Sequence, residues 1–158
     1  MSVLPTSFTI GYQQATQAAV LSALREAGVE VLADIRYLPL SRRPGFSKSS
    51  LRAAVEEAGI GYRHFKQLGT PADGRAAARR GDHAELSRVY AGQLELPEAL
   101  AQMAELRDLA EHQRVALLCY ERDAAECHRS LLFDELFADF ARVDLVPNLV
   151  VPAQAGTL

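Results

Sequence analysis

The stretch Glu26-Ala27-Gly28-Val29-Glu30-Val31-Leu32-Ala33 reads as a helix end, a glycine stop and the start of a strand. Upstream, Thr16 is placed to cap a helix whose apolar stripe is Val20, Leu21 and Leu24. Downstream, Val31-Leu32-Ala33 is continuously apolar, the pattern of a strand covered on both faces, within a strand expected over 29–37. The same phrase returns as Glu57-Ala58-Gly59-Ile60. It follows a helix through Leu51, Ala54 and Val55, opened by Ser47 or Ser49, and leads into a strand expected over 60–65. Two successive units of helix, glycine stop and strand are crossover connections, which join parallel strands.

Working outward, Phe8-Thr9-Ile10-Gly11-Tyr12 reads as a first strand. Gly69-Thr70-Pro71 and Asp73-Gly74 are turn signals, followed by short helices expected at 75–80 and 82–94. Pro97 opens a longer helix with Leu100, Met103, Leu106 and Ala110 on one side. Val115-Ala116-Leu117-Leu118-Cys119 has the clearest character of a buried strand. Asp123 with Glu126 forms an acidic capping pattern that predicts a helix from about Ala124 to Ala141. A last strand is expected over 143–151, broken near Pro147. The alternation predicts an α/β fold: a single three-layer, Rossmann-like domain over 1–158, with its core at 8–151, a mostly parallel sheet and helices on both faces. In such sheets ligands bind beyond the carboxyl ends of the strands, where strand order reverses.

The chain has 158 residues, 49% of them hydrophobic, enough to bury a core without disulfides or metal. Two cysteines do not make a disulfide framework. The start Met1-Ser2-Val3-Leu4-Pro5 lacks the basic and apolar regions of a secretory signal, and no apolar run is long enough to span a bilayer. A reduced, cytoplasmic chain is therefore expected, with no membrane partner. The net charge of −3 hides a strong asymmetry: residues 34–80 carry ten bases and four acids, whereas residues 81–158 carry six bases and fourteen acids. Fifteen of the seventeen bases are Arg, the residue suited to fork-like contacts with anions.

The basic excess begins at the carboxyl end of the second strand, in Asp34-Ile35-Arg36 and Ser41-Arg42-Arg43-Pro44-Gly45-Phe46-Ser47-Lys48. This loop is stiff and cationic, and it runs into a helix start, itself suited to anions. In the bland reading it is a solvated loop in which Asp34 pairs with Arg36. After the third strand, His64 alternates with Tyr62 and is a candidate for the same crevice. Near the last helix start, a step of about 100° per residue puts Arg129 in the middle of the face made by Leu132, Phe133, Leu136, Phe137 and Phe140. His128 falls at the edge of that face and Cys127 on the opposite side, which argues against a disulfide with Cys119. A buried Arg129 needs an acid or a ligand anion, and Glu121 and Asp34 are the acids nearest in prospect. No phosphate loop, dinucleotide fingerprint or His-Glu-x-x-His helix occurs, and neither cysteine is followed six positions later by Arg. Cys119, Cys127, His128 and His64 match no common zinc spacing, and Cys127 and His128 should diverge on a helix, so neither metal nor cofactor is expected.

Thr9-Ile10-Gly11, Asp34-Ile35-Arg36 with the loop from Ser41 to Phe46, and Leu118-Cys119-Tyr120-Glu121 followed by Cys127-His128-Arg129 together resemble the bacterial family called domain of unknown function 488, from about Thr9 to Val146. The resemblance implies an α/β fold and a cytoplasmic protein of undetermined activity. It places Asp34, Arg36, Arg43, Cys119, Glu121, Cys127, His128 and Arg129 at the family's motif positions. One segment departs from the family pattern: Gly69-Thr70-Pro71-Ala72-Asp73-Gly74-Arg75 stands where the family often has a Gly-Gly-x-Arg-like turn.

The leading expectation is a pocket for an anionic small molecule or nucleic-acid fragment. Arg36, Arg42, Arg43 and Arg129 would hold the anion, with His64 as a further contact. Asp34 or Glu121 would orient the arginines or act as base, and His128 or Cys127 would transfer a proton or attack. Two other readings stand beside it. One is a nucleic-acid-binding module using the basic face of 34–80; the other is redox chemistry at Cys119 and Cys127. Oligomeric state is left open.

Overall fold

A computed structural model describes residues 5–124 and 127–148. The elements run β1 (Thr6–Gly11), α1 (Gln17–Glu26), β2 (Val31–Asp34), α2 (Lys48–Glu57), β3 (Gly61–His64), a 3-10 turn (Lys66–Leu68), α3 (Ala72–Arg79), α4 (His83–Leu94), α5 (Pro97–His112), β4 (Val115–Cys119), α6 (His128–Leu136) and β5 (Ala141–Leu145). The repeated phrase has one physical cause. At the end of α1, Gly28 takes φ +70° while its N–H bonds to Arg25 O and that of Val29 to Leu24 O. At the end of α2, Gly59 at φ +83° bonds to Glu56 O, and Ile60 to Val55 O. Both are Schellman closures, in which a left-handed glycine satisfies the orphan carbonyls and turns the chain straight into a strand.

All four strand pairings are parallel and the order is β3-β2-β4-β1-β5, a three-layer α/β fold. The central strand β4 is buried at every position, as its unbroken apolar run requires. Its side chains alternate between two cores. Ala116 and Leu118, with Phe8, Ile10 and Leu32, pack against Val20 and Leu24 of α1 and Leu51 and Val55 of α2. Val115 and Leu117, with Val31 and Ala33, pack against Tyr90 of α4, Leu106 of α5, and Leu132 and Phe133 of α6. Each such buried leucine contributes roughly 1.5–3 kcal/mol. No helix among the described residues is long and apolar enough to cross a membrane.

The chain proceeds from β1 through β2 to β3 at one edge, then returns to β4 between β2 and β1 and ends at β5. The helices after β1 and β2 therefore cover one face, while α6, after β4, covers the other. Loops leaving the carboxyl ends of β1, β2 and β4 diverge, and a crevice opens where sheets of this type bind ligands.

The last third corrects the expected boundaries. Where a helix is expected over 124–141, α6 opens at His128 and ends at Leu136, with Cys127 as its extended N-cap residue at φ −131° and ψ 151°. Arg107 closes its other end, donating to Leu136 O at 2.9 Å while paired with Asp139 at 2.7 Å. The final strand begins two residues early and ends at Leu145, and the expected portion at 149–151 lies outside the described residues. Helix α3 starts at Ala72 rather than at Arg75.

Candidate functional site

Asp34 ends β2 fully buried, and its carboxylate is surrounded by donors. Oδ1 accepts from the Arg36 backbone N–H (3.1 Å) and Nε (2.8 Å), and Oδ2 from Arg36 Nη2 (2.7 Å) and the Tyr62 hydroxyl (2.5 Å). Arg36 also donates through Nη1 to Tyr12 Oη (3.2 Å) and Phe46 O (2.7 Å). Burial works against the Arg36 charge, but the hydrogen bonds and charge of Asp34 outweigh it and hold its pKa above the ordinary value. Burial and the neighbouring Asp34 raise the Tyr62 pKa, so the phenol stays protonated and donates. The pairing of Asp34 with Arg36 is thus built into the sheet edge. Around it, Arg43 donates to Tyr12 O (2.9 Å) and Ala15 O, with its guanidinium over the Phe46 ring, tying the loop after β2 to the loop after β1. His64 Nε2 donates to Arg36 O at 2.8 Å. Arg42 is exposed on the same loop.

The carboxyl end of β4 holds the second group. Because α6 opens at His128, Cys127 precedes the helix and does not face away from the core stripe. Its sulfur reaches Cys119 at the end of β4, and the two form a disulfide, correcting the expectation of opposed side chains. Nor do Cys127 and His128 diverge: Cys127 Sγ lies 3.6 Å from His128 Nδ1. His128 Nε2 donates to Ile35 O at 2.8 Å, which fixes the tautomer and leaves the Nδ1 lone pair towards the sulfurs. Arg129 is 1% exposed, as its place among apolar residues predicts. It donates to Cys119 Sγ (2.8 Å), Glu121 O (2.6 Å) and Arg122 O (3.1 Å), while its Nε has no partner. Burial lowers its pKa to about 10, partly offset by Asp144 and Glu121, and the side chain stays charged at neutral pH.

Burial, reinforced by Arg129, pushes the His128 pKa down from 6.5 to about 4, against the bond to Ile35 O. Its unfolded form thus binds a proton first on acidification. Stability should be intact above pH 6.5 and fall by about 3 kcal/mol as pH drops towards 4, below which both states are charged. Urea titrations of wild type and His128→Gln check this. The acid-dependent loss in this window should shrink in the variant, and an unchanged slope would reject the assignment.

Between the two groups lies a cavity of about 620 Å³, within the range of ligand sites. Tyr12 and Gln13 line it from the loop after β1; Arg36, Tyr37, Leu38, Leu40 and Ser41 from that after β2; and Cys119, Tyr120, Glu121, Cys127 and His128 from that after β4. The remaining wall comes from Thr70, Arg75, Ala78, Arg79 and Leu86. Of the sequence candidates, Arg36, Glu121, Cys127 and His128 thus face the cavity. Asp34, Arg43, His64 and Arg129 brace the loops behind it, and Arg42 lies away from its wall.

Of the remaining wall residues, the sequence names Arg75 only as the arginine of the divergent 69–75 turn, and gives Thr70 and Arg79 no role. Arg75 donates to Thr70 O (3.0 Å) and lies near the Tyr37 ring; Arg79 is exposed one helical turn further on. Thr70 is 5% exposed, and its hydroxyl, Oγ1, has no hydrogen-bond partner. The available signal was the spacing Arg75-x-x-x-Arg79, one helical turn, which places both on one face of α3. The exposed bases of the central segment are partly neutralised, Arg52 by Glu56, Arg63 by Glu105 and Arg80 by Asp82, which breaks up the basic face.

No curated protein and no solved structure matches the chain. The family model described as Domain of unknown function DUF488 matches residues 16–136, from the α1 cap to the last residue of α6. The match takes in every loop that lines the cavity except the turn after β1, and the chain belongs to the DUF488 family.

Proposed function

We propose that the protein binds, and acts on, an anionic ligand of phosphorylated or nucleotide-like type in the cavity above β1, β2 and β4. The observation that carries this reading is Thr70 Oγ1, a buried hydroxyl without a partner in the cavity wall beside Arg75. An unsatisfied buried hydroxyl costs about 1–3 kcal/mol, and a ligand oxygen would remove that cost. Arg75 and Arg79 supply positive charge on the same wall, and Tyr37 and Tyr120 offer flat surfaces for a ring. Arg36, its charge matched by Asp34, gives the floor a fixed guanidinium donor, and Cys127, His128 and Glu121 are the groups a bound ligand's reacting end would meet. A small anion fits this arrangement better than a nucleic-acid strand, since several exposed bases are already paired.

The test is calorimetry and thermal shift with pyrophosphate, nucleotides, phosphorylated sugars and short oligonucleotides. One of the small anions should stabilise the wild type. Arg75→Ala should then weaken that ligand about 10–100-fold, the value of one charge-assisted contact. Thr70→Val should leave the unliganded protein as stable or up to roughly 1 kcal/mol more stable, yet bind the ligand about 3–10-fold more weakly. Absence of any stabilising anion, or full affinity in both variants, would remove the proposal.

A further inference from the structure

We propose that, once the Cys119–Cys127 bond is reduced, Cys119, Cys127 and His128 form a binding site for a zinc-class divalent cation at the floor of the cavity. The two sulfurs and the imidazole nitrogen lie within 4.8 Å of one another, and all three residues are buried. Among the described residues this is the one group of its kind. Two thiolates and one imidazole are a preferred donor set for such an ion, with a fourth position left for an exogenous ligand.

Three features beyond the clustering prepare the donors. First, His128 gives its Nε2 proton to Ile35 O, which turns the Nδ1 lone pair to the sulfurs. Metal-bound histidines are regularly oriented in this way, by an acceptor on the other ring nitrogen. Second, both sulfurs already accept N–H bonds, Cys119 from Arg129 Nη1 at 2.8 Å and Cys127 from the Arg129 backbone at 3.5 Å, and these favour thiolates. Third, the two Cα atoms stand 7.3 Å apart, beyond the roughly 4.4–6.8 Å usual for disulfides. Two thiolates each about 2.3 Å from one ion suit that wider spacing.

The chemistry balances simply. Two equivalents of an external thiol reduce the bond and leave as their own disulfide, giving two protein thiols. The cation then displaces both thiol protons to solvent, and neutral His128 supplies its lone pair without losing one. Two thiolates cancel the ion's charge, and Arg129 keeps the floor cationic. All three donors line the cavity, so the fourth position opens towards it.

The assignment is read with metal alone and does not depend on the anion proposal. The full chain is reduced, freed of reductant under anaerobic conditions, and titrated with Co²⁺. The expected result is a thiolate-to-cobalt charge-transfer band with intense visible bands of four-coordination, saturating at one ion per chain and bleached by Zn²⁺. Cys127→Ser should abolish the charge-transfer intensity or cut it sharply, and His128→Ala should weaken binding at least about tenfold. Because these side chains are buried, a second measurement uses the wild type only. Zn²⁺ should slow alkylation of the two thiols at least about tenfold, and a chelator should restore the rate. A reduced protein that shows no cobalt band and no zinc protection overturns the proposal. So does a full band in folded Cys127→Ser.

Discussion

Asp34→Ala should cost about 3–5 kcal/mol of stability, the usual penalty for removing one partner of a buried ion pair. The side chain is fully buried, and Arg36 is only 6% exposed. Removing the carboxylate leaves that guanidinium without its counter-ion and strips the Tyr62 hydroxyl of its acceptor. Two donors to Asp34 are also backbone and side chain of the same Arg36, so the turn out of β2 loses its tie as well. The pair itself need not be worth that much, because desolvation offsets most of its attraction. Replacing both residues, as in Asp34→Leu with Arg36→Met, should therefore recover most of the loss. Urea unfolding of the single and double variants measures the difference. A single-variant loss below about 1 kcal/mol would show that water, not Asp34, meets the Arg36 charge.

The second large effect is expected at Gly11, the last residue of β1. A Cβ there would lie 1.8 Å from Glu121 O, 2.6 Å from Glu121 C and 3.1 Å from Arg129 Nη1. The first two are backbone atoms, which cannot rotate aside as a side chain can. Moreover, Glu121 O is the carbonyl that Arg129 holds at 2.6 Å. Gly11→Ala must push the loop after β4 outwards, at a cost of at least about 3 kcal/mol, the upper end of overpacking penalties. It should also weaken ligand and metal binding, since Glu121, Cys127 and His128 all belong to that wall. Gly92→Ala is the matching control: nothing lies within 4 Å of its would-be Cβ in α4, and the variant should gain about 0.5–1 kcal/mol. Thermal unfolding of the pair reads both signs, and a Gly11→Ala protein as stable as wild type would contradict the close approach.

The parts of the fold legible in sequence are those governed by local chemistry. Gly28 and Gly59 each end a helix in the same closure and hand the chain to a strand, and the apolar run of β4 could only belong in the middle of a sheet. From these two facts the crevice at the carboxyl edge follows. The start of α6 was not legible, because Asp123 and Glu126 mimic a cap one turn early, while Cys127 caps the actual helix with a sulfur, a weak acceptor. That shift turned Cys127 from the solvent side to the cavity and brought it to Cys119.

For the site, the burial of Arg129 could be read from its helical position, but its acceptors could not. Two of them are backbone carbonyls, Glu121 O and Arg122 O, which no side-chain pattern announces. Arg43 is similar, a motif arginine that meets carbonyls of the neighbouring loop. The common face of Arg75 and Arg79 follows from their spacing in any helix over that segment, but no local pattern shows that this face turns towards the cavity.

The most direct measurement of the central claim is a crystal structure of the protein soaked with whichever anion stabilises it in the thermal-shift series. The account predicts ligand density in the cavity, with an anionic oxygen within hydrogen-bonding distance of Thr70 Oγ1 and the Arg75 guanidinium. An anion found instead on the exposed loop around Arg42, with the cavity holding only water, would contradict it.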